Sequence, residues 1–577
     1  MGLTAAMSVG QTALASSQAA IQVIGNNIAN AATPGYSRQI VSLAPLPGQS
    51  IGNTSLGLGV SISGVRRQVD TALQGRLWTS QGNQGAAGER LALLGSLETS
   101  LNELTGYDLS SQISQFFASW SERANLTQSS AVVVQQGAQL ASFIRGLRSD
   151  LATQREGADA LLDDYAARAD ELIRGIADLN TQIPPAEASG GTANELRDRR
   201  DILVGELATL MDVTAIDQGD GTVNVLVGST PVVLGGNPRT ISLERRSTAS
   251  GIEVAILVGA EQRELSVNAG KIGALLAGRT DSINATLGAL DDIASTLIFE
   301  VNRLHSTGAS RPGLRSATGT LSIALDDRTR PLNDSDNATL ADLPFHPSNG
   351  GFTVAITDQT TNTTRRVRID VDMDGLTDGG LRGTGDDTTP EDIRAALDAV
   401  PGLNAAFDNA GRLRLTADAG TDFNFEDDTS GVLATLGINT YFTGRNSTDI
   451  DVRQSLVSDP QNLMVGRQTA EGYAENATAL AINDLRTRTL DALGGRSLTQ
   501  RWQDEVQTVA GQTATASTTF QAASIVTESL SAQQAAISGV SLDEEAINLT
   551  TFQRQYQGAA RLVAVADQLL QELLSII

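Results

Sequence analysis

The chain has no cysteine in its 577 residues, which excludes disulfides, thiolate nucleophiles and thiolate metal sites together and leaves packing to supply its stability. Histidine is almost as scarce. The two present, His305 and His346, lie far apart without flanking ligand spacing, so neither a metal site nor a catalytic triad is expected of them. His305 reads as a residue that caps or packs at a helix C-terminus. A single lysine, Lys271, stands beside 40 arginines, a bias that carries no functional meaning of its own. Basic groups are outnumbered 41 to 66, and the net charge of -25 repels phosphate backbones, so no nucleic-acid partner is expected. Long apolar runs are missing too: no segment reaches the roughly 18 residues of a membrane span, and no membrane insertion is expected. No Lys or Arg precedes Arg38, and Gly10, Gln11, Gln18, Gln22, Asn26 and Asn27 interrupt the apolar residues before it, so a cleavable secretory signal is not expected. Walker loop and zincin motif are likewise absent, which argues against an enzyme and against any cofactor.

What the chain does have is a heptad stripe at each end. Near the N-terminus, Met7, Leu14, Ile21 and Ile28 recur every seven residues, with Leu3, Gly10, Ser17 and Ile24 between them. Near the C-terminus the corresponding rows are Leu549, Tyr556, Val563, Leu570 and Ile577, alternating with Phe552, Ala559, Ala566 and Leu573. Each buried Leu or Ile in such a seam contributes roughly 1.5 to 3 kcal/mol, so both seams need cover. Pairing of the two helices within one bundle is the plain solution. Chain ends ordinarily fray, however, and finding the most regular heptads there makes a coiled coil shared between subunits the competing expectation.

Between the ends the patterning alternates. The run Thr33-Pro34-Gly35 places Pro and Gly for a tight turn that ends the first helix, and the Gly-rich stretch 48–64 reads as an extended segment or hairpin. Helical periodicity resumes near Val69, continues through Leu91, Leu94, Leu97, Leu101 and Leu104, and runs again from 131 until Pro184 and Pro185 stop it at 183. A further helix is expected over 193–211, then short β-branched runs such as 222–227 and 252–258, then a helix over 271–305. Strands are expected at 352–356 and 366–371, a helix at 390–400, and helix again from about 459. The fold class is α+β and multidomain, with N- and C-terminal helices forming a coiled-coil or helical stalk and two inserted β-rich domains. The expected divisions are a terminal coiled-coil domain (1–60 and 535–577), a helical domain (61–211, 270–308 and 450–534), a small β domain (212–269) and an outer β-rich domain (309–449).

Residues 26–38, NNIANAATPGYSR, resemble the N-terminal motif shared by axial proteins of the bacterial flagellum, the rod, hook and hook-associated proteins. Residues 538–556, SGVSLDEEAINLTTFQRQY, resemble the C-terminal signature of the family that begins the hook–filament junction. Three interior segments point the same way: NELRDRRDILVGELATLMDV at 194–213, LDDIASTLIFEVNRLHSTG at 290–308 and LATLGINTYFTGRNSTDIDV at 433–452. The segment SAVVVQQ at 130–136 departs from the more charged sequence usual there, and much of 309–425 matches no motif.

The resemblance implies a structural, self-assembling, exported protein of the flagellum, located at the hook–filament junction and carrying no cleaved signal peptide. Its implied partners are further copies in a ring or tube, the hook protein, a second junction protein, and an export chaperone on the C-terminal helix. The implied motif residues are Asn27, Asn30, Thr33, Pro34, Gly35 and Tyr36. Another axial protein, hook or distal rod, is the nearest alternative. A secreted adhesin or hydrolase with flagellar-type ends would instead place its activity in 309–439.

Two acidic clusters remain. Asp370, Asp372 and Asp374 before Gly375 match the first half of an EF-hand loop, but Leu381 occupies the twelfth position where a bidentate Glu is needed and Asp378 supplies only part of the set. An acidic turn in a solvated loop is expected there. Asp543, Glu544 and Glu545 read as a helix start favoured by the macrodipole.

Overall fold

The computed structural model describes the chain apart from residues 1, 52–53, 102–105, 189, 249–250, 378 and 577. Leu104, Asp378 and Ile577 therefore lie outside the described residues, and of Leu573 only the backbone is described. The chain divides into two compact units, one made of 1–93, 157–279 and 513–577, the other of 94–156 and 280–512. The α+β class holds: long helices occupy both ends, and several small antiparallel sheets lie between them.

In the first unit the N-terminal helix (Gly2–Asn30) packs along the C-terminal helix (Leu542–Ile576). After the N-terminal helix, the strand Gln39–Pro45 pairs antiparallel with Val60–Arg67, and a smaller hairpin, Gln49–Ile51 with Thr54–Leu56, lies between them. The helix Thr71–Leu101 follows. Its Leu73 and Leu77 bury against Leu530 of the penultimate helix (Leu498–Ser538), and Ser80 and Thr527 share a hydroxyl hydrogen bond of 2.8 Å on the same contact.

The small β region of this unit is a four-stranded meander spanning Val213–Asp217 to Asn237–Pro238, followed by a three-stranded sheet over 241–264. Val223, Val225 and Val227 alternate inward as the period of a half-buried strand requires. A buried polar pair ties the meander to helices. Asn180 donates to the carbonyls of Val223 and Gly235 at 2.7 Å each and accepts the Val223 amide at 3.1 Å, while Arg200 donates to Asn180 Oδ1 and to the Gly221 carbonyl. These bonds satisfy most of the buried Asn180 side chain, which would otherwise carry a desolvation penalty.

One expected stop is corrected. The long helix runs Ser130–Glu187 and carries Pro184 and Pro185 inside its final turn. Proline's locked φ is helical and lets the turn form, although neither ring nitrogen can donate to the carbonyl four residues back, and the helix ends within a turn of them. Glu187 then fastens the turn, accepting the Ala193 amide at 2.9 Å and paired hydrogen bonds from Arg197 at 2.7 and 2.8 Å. Those bonds, Arg197 first, hold its carboxyl below the usual range.

In the second unit the expected strands appear as a longer hairpin, Gly350–Asp358 with Thr363–Val371, joined by Thr421–Glu426. Phe352, Phe423 and Phe425 fill its core together with Leu397 of the helix Pro390–Asp398, which Thr389 and Asp392 close with a capping box. Two of the interior segments singled out by sequence meet here. Asn302 accepts the amides of Tyr441 and Phe442 at 3.0 and 2.8 Å and donates to the Phe442 carbonyl at 3.0 Å. Tyr441 in turn donates to the carbonyl of Val133 at 2.8 Å, within the departing segment 130–136, where Val133 and Val134 are buried.

His305 sits at the end of the helix Ala285–Ser306, as expected, but it is fully buried. Its Nε2 accepts the Met464 amide at 3.1 Å, so its proton lies on Nδ1, which bonds the Asn439 carbonyl at 2.8 Å. Burial pushes this imidazole down to about 4.

Two further expectations change. The helix predicted over 271–305 is broken into Gly270–Gly278 and Ala285–Ser306 by a π-helical turn, Arg279–Asn284. The wider turn begins at Arg279, whose buried guanidinium bonds Asp159 Oδ1 at 2.6 Å and the Ile252 carbonyl at 2.6 Å. The region after 459 is not uniformly helical, because Arg467–Thr469 and Gly472–Ala474 form a hairpin before the helices Ala477–Asp484 and Leu498–Ser538.

Candidate assembly interface

The contact between the terminal helices is closed mainly by the row of smaller residues in each heptad stripe, with Ile24 and Val563 beside them. On the N-terminal helix Gly10, Ser17, Ala20, Ile24 and Asn27 are buried, whereas Met7, Leu14 and Ile21 are half-buried and Ile28 is exposed. On the C-terminal helix Ala559, Ala566 and Glu545 are buried; Leu549, Phe552, Val563 and Leu570 are half-buried, and Tyr556 is 41% exposed. In the single chain, then, Ile28 and Tyr556 are left uncovered. Close approach of two helix axes demands small side chains at the crossing, and Gly10 shows how close it is. A Cβ at that position would lie 2.6 Å from Val563 Cγ2.

Large apolar side chains remain outside. Ile547, Leu562, Val565, Leu569 and Leu574 on the C-terminal helix are all exposed, as is Ile28 on its partner. Leu562, Val565 and Leu569 share one face at helical spacing.

At one end of the pair, the motif at 26–38 turns the chain out of the helix. Gly35 has φ +75°, and the Tyr36 amide donates to the Thr33 carbonyl at 3.2 Å, the geometry that Pro at the second and Gly at the third turn position provide. A side chain at Gly35 would strike Ile202 of the helix Asn194–Leu210, its Cβ falling 2.5 Å from Cδ1. Asn30 donates to Asn26 through its carbonyl and side chain at 3.0 and 2.7 Å, and Thr33 donates to Asn30 Oδ1. Pro34 is exposed.

Asn27 has a larger role than ending a helix. Its Nδ2 donates to the Gln39 carbonyl at 2.9 Å and to Glu545 Oε2 at 3.0 Å; its Oδ1 accepts the Tyr36 hydroxyl at 2.8 Å and the Gln39 amide at 3.0 Å. Burial, then the nearby charges of Asp198, Glu545 and Glu195, raise the Tyr36 phenol to about 12, so it stays a donor.

Arg38 completes the junction. It pairs with Glu544 and Glu545 at 2.7 Å each, and its amide donates to the Ser538 carbonyl at 2.8 Å. Residues 543–545 do form the first turn of a helix, as expected, and Glu545, 1% exposed, is in addition the buried anchor of the N-terminal motif. Next to it, the Ser37 amide donates to Asp198 at 3.2 Å, and Arg67 bridges Asp198 and Asp201 at 2.8 Å each. Sequence reasoning missed Arg38, Gln39, Arg67, Asp198 and Glu545 as functional partners. Four of them lie inside or next to the quoted segments, but opposite charges hundreds of residues apart carry no pairing signal in one sequence.

A cleft of about 1240 Å³ also lies in this unit, lined by Arg66, Arg67, Trp78, Arg200, Val526 and Leu530 among others. Two of its arginines are already engaged, Arg67 by carboxylates and Arg200 by Asn180 and Gly221, and no nucleophile–base pair is among the residues lining it. No described helix is long and apolar enough to cross a membrane.

Three family models match the chain: the flagellar hook-associated protein FlgK helical domain over 94–321, the flagellar basal body rod FlgEFG protein C-terminal region over 533–576, and the flagella basal body rod protein over 7–36. Flagellar hook-associated protein 1 of Salmonella typhimurium is 25% identical over 98% of both chains, and that of Escherichia coli is 24% identical over 98% of both. A solved structure, the flagellar hook junction protein FlgK from Burkholderia pseudomallei, is 14% identical with a TM-score of 0.47, covering 80% of this chain and all of that one. With one model on the interior, two on the terminal helices and relatives aligned over 98% of both chains, the chain is similar along its length to flagellar hook-associated protein 1.

Proposed function

We propose that this chain is a structural, self-assembling axial protein of the bacterial flagellum that joins hook to filament, and that its paired terminal helices are the element covered by neighbouring copies. The observation that carries this reading is the division of labour on those helices. Small residues close the pair internally, and the larger apolar side chains Leu562, Val565 and Leu569 are left facing outward in a row. Soluble proteins seldom leave such a row bare unless a partner covers it, and a heptad-spaced helix face is suited to another helix. A subunit of a ring or tube repeats the same contact around the axis, needing geometry and no catalytic group.

On this reading the assembly surface includes Met7, Leu14, Ile21 and Ile28 on one helix and Leu549, Phe552, Tyr556, Val563, Leu570, Leu573 and Ile577 on the other. The ring meets hook protein on one side and a second junction protein on the other. Before assembly an export chaperone shields the C-terminal helix, and the chain leaves the cell through the flagellar export route without losing its N-terminus. Electron microscopy of cells lacking the gene tests the placement: hooks without filaments, and filament subunits lost to the medium, are expected. Normal filaments on the mutant cells would overturn it.

A further inference from the structure

We propose that the loop following the strand Thr363–Val371 binds a calcium-class divalent cation through Asp372, Asp374 and Asp387. The sequence pattern alone fails, because an EF-hand reading looks for its closing carboxylate at position 381 and finds leucine. Folding supplies a different one. Thr388 donates its amide to the Asp372 carbonyl at 2.9 Å, and the Asp372 amide donates to the Thr388 hydroxyl at 2.8 Å, which sets the neighbouring Asp387 beside the acidic loop. Ligand atoms of Asp372, Asp374 and Asp387 all lie within 4.8 Å of one another. Oxygens on opposite sides of one calcium ion stand about 4.6 to 5.2 Å apart, so these spacings are compatible with a shared ion.

The burial of Asp387 points to a ligand independently of the cluster. This residue is 1% exposed; its Oδ2 accepts from Asn333 Nδ2 at 2.7 Å, while its enclosed Oδ1 has no hydrogen-bond donor among the described residues. A buried carboxylate oxygen without donor or counter-charge is costly, and a cation held by the adjacent carboxylates relieves it. Arg368 is not available for that purpose, since it pairs with Asp370 at 2.8 Å. The donor set is oxygen only, in a chain without cysteine, which suits a hard ion and not zinc or copper. Asp372 and Asp374 are exposed, so the ion enters from solvent and keeps several waters. Three protein carboxylates with water completing the shell match the weaker extracellular sites, with a Kd of about 0.1 to 1 mM.

The test is calorimetric titration of the full-length, EDTA-treated protein with calcium chloride, and separately with magnesium chloride, alongside thermal melts in calcium and in EDTA. One calcium per chain, a raised Tm in calcium and weaker magnesium binding are expected. Asp374→Ala, at an exposed position, should keep the wild-type circular dichroism spectrum and weaken calcium binding at least about tenfold; Asp387→Asn should abolish it. The assignment is overturned if no calcium heat appears up to about 10 mM, if Asp374→Ala binds as the wild type does, or if magnesium binds more tightly than calcium. It is overturned equally if Asp387→Asn melts higher than the wild type in EDTA while the wild type ignores calcium, since a proton then settles the buried oxygen.

Discussion

Asn27 and Glu545, 518 positions apart in the chain, are each 1% exposed and share a hydrogen bond of 3.0 Å from Nδ2 to Oε2. Through that contact and Arg38, the first helix, the turn that ends it and the start of the last helix become one buried polar network. Such a network is strong when complete and costly when any member is removed.

Asn27→Ala removes four hydrogen bonds at once and leaves the Tyr36 hydroxyl, the Gln39 backbone and Glu545 short of partners. The expected loss is about 2–4 kcal/mol in urea unfolding of the monomer. A variant within 0.5 kcal/mol of wild type would show that water replaces the asparagine, and that the motif is only a turn.

The charges at the same junction are predicted to couple. Arg38→Ala strands the buried Glu545 carboxylate and should cost about 3–5 kcal/mol. Glu545→Gln keeps an acceptor for Asn27 and should cost less. In the double variant the stranded charge is gone, so its loss should be smaller than the sum of the two; strict additivity in the mutant cycle would contradict a direct pair.

Gly10→Ala places a methyl group against Val563 and should destabilise the helix pair by about 1–3 kcal/mol. The obstruction is a side-chain methyl, so adding Val563→Ala should restore much of the loss. If the second change only adds to the first, the helices are held apart by something other than this contact.

Assembly and folding should separate on the C-terminal helix. Leu562→Asp and Leu569→Asp alter exposed positions and should leave monomer stability within about 1 kcal/mol while preventing polymerisation, measured by sedimentation and by motility. Leu570→Asp reaches a half-buried residue and should disturb both. Filaments built normally by the Leu569→Asp protein would remove the outer row from the interface.

His305 makes stability depend on pH. Its folded value, about 4, lies below the usual one of 6.5, so the unfolded chain takes up the proton first. The stability it protects is therefore fully present above pH 6.5, declines as pH falls, and levels off near pH 4 after a loss of roughly 3 kcal/mol. His305→Gln should flatten that part of the profile in denaturant titrations; an unchanged slope would mean that His305 takes up its proton equally readily in the folded and unfolded chain.

Much of the architecture was legible because it is written in local periodicity. The Thr33–Tyr36 turn, the Pro390–Asp398 helix and the Gly350–Asp358 strand each follow from spacing and turn chemistry within a dozen or so residues. Where local rules misled, a distant contact had overruled them. Glu187 secures the turn that Pro184 and Pro185 were expected to end, and Arg279 reaches Asp159 and Ile252 where the π-helical turn interrupts a helix.

By itself the sequence determined most of the helical segments, that both ends carry heptad rows, and that thiol and histidine chemistry have almost no side chains to work with. Periodicity assigns an apolar face to a helix but allows that face to rotate by a residue or so about the axis. Only the tertiary structure decided that Gly10, Ala559 and Ala566 turn inward while Leu562, Val565 and Leu569 turn out, that Asn27 meets Glu545, and that Asp387 closes on Asp372 and Asp374. The reason is steric and electrostatic: how near two backbones can come, and which buried charge needs a partner, are set between segments distant in the chain and appear in neither segment alone.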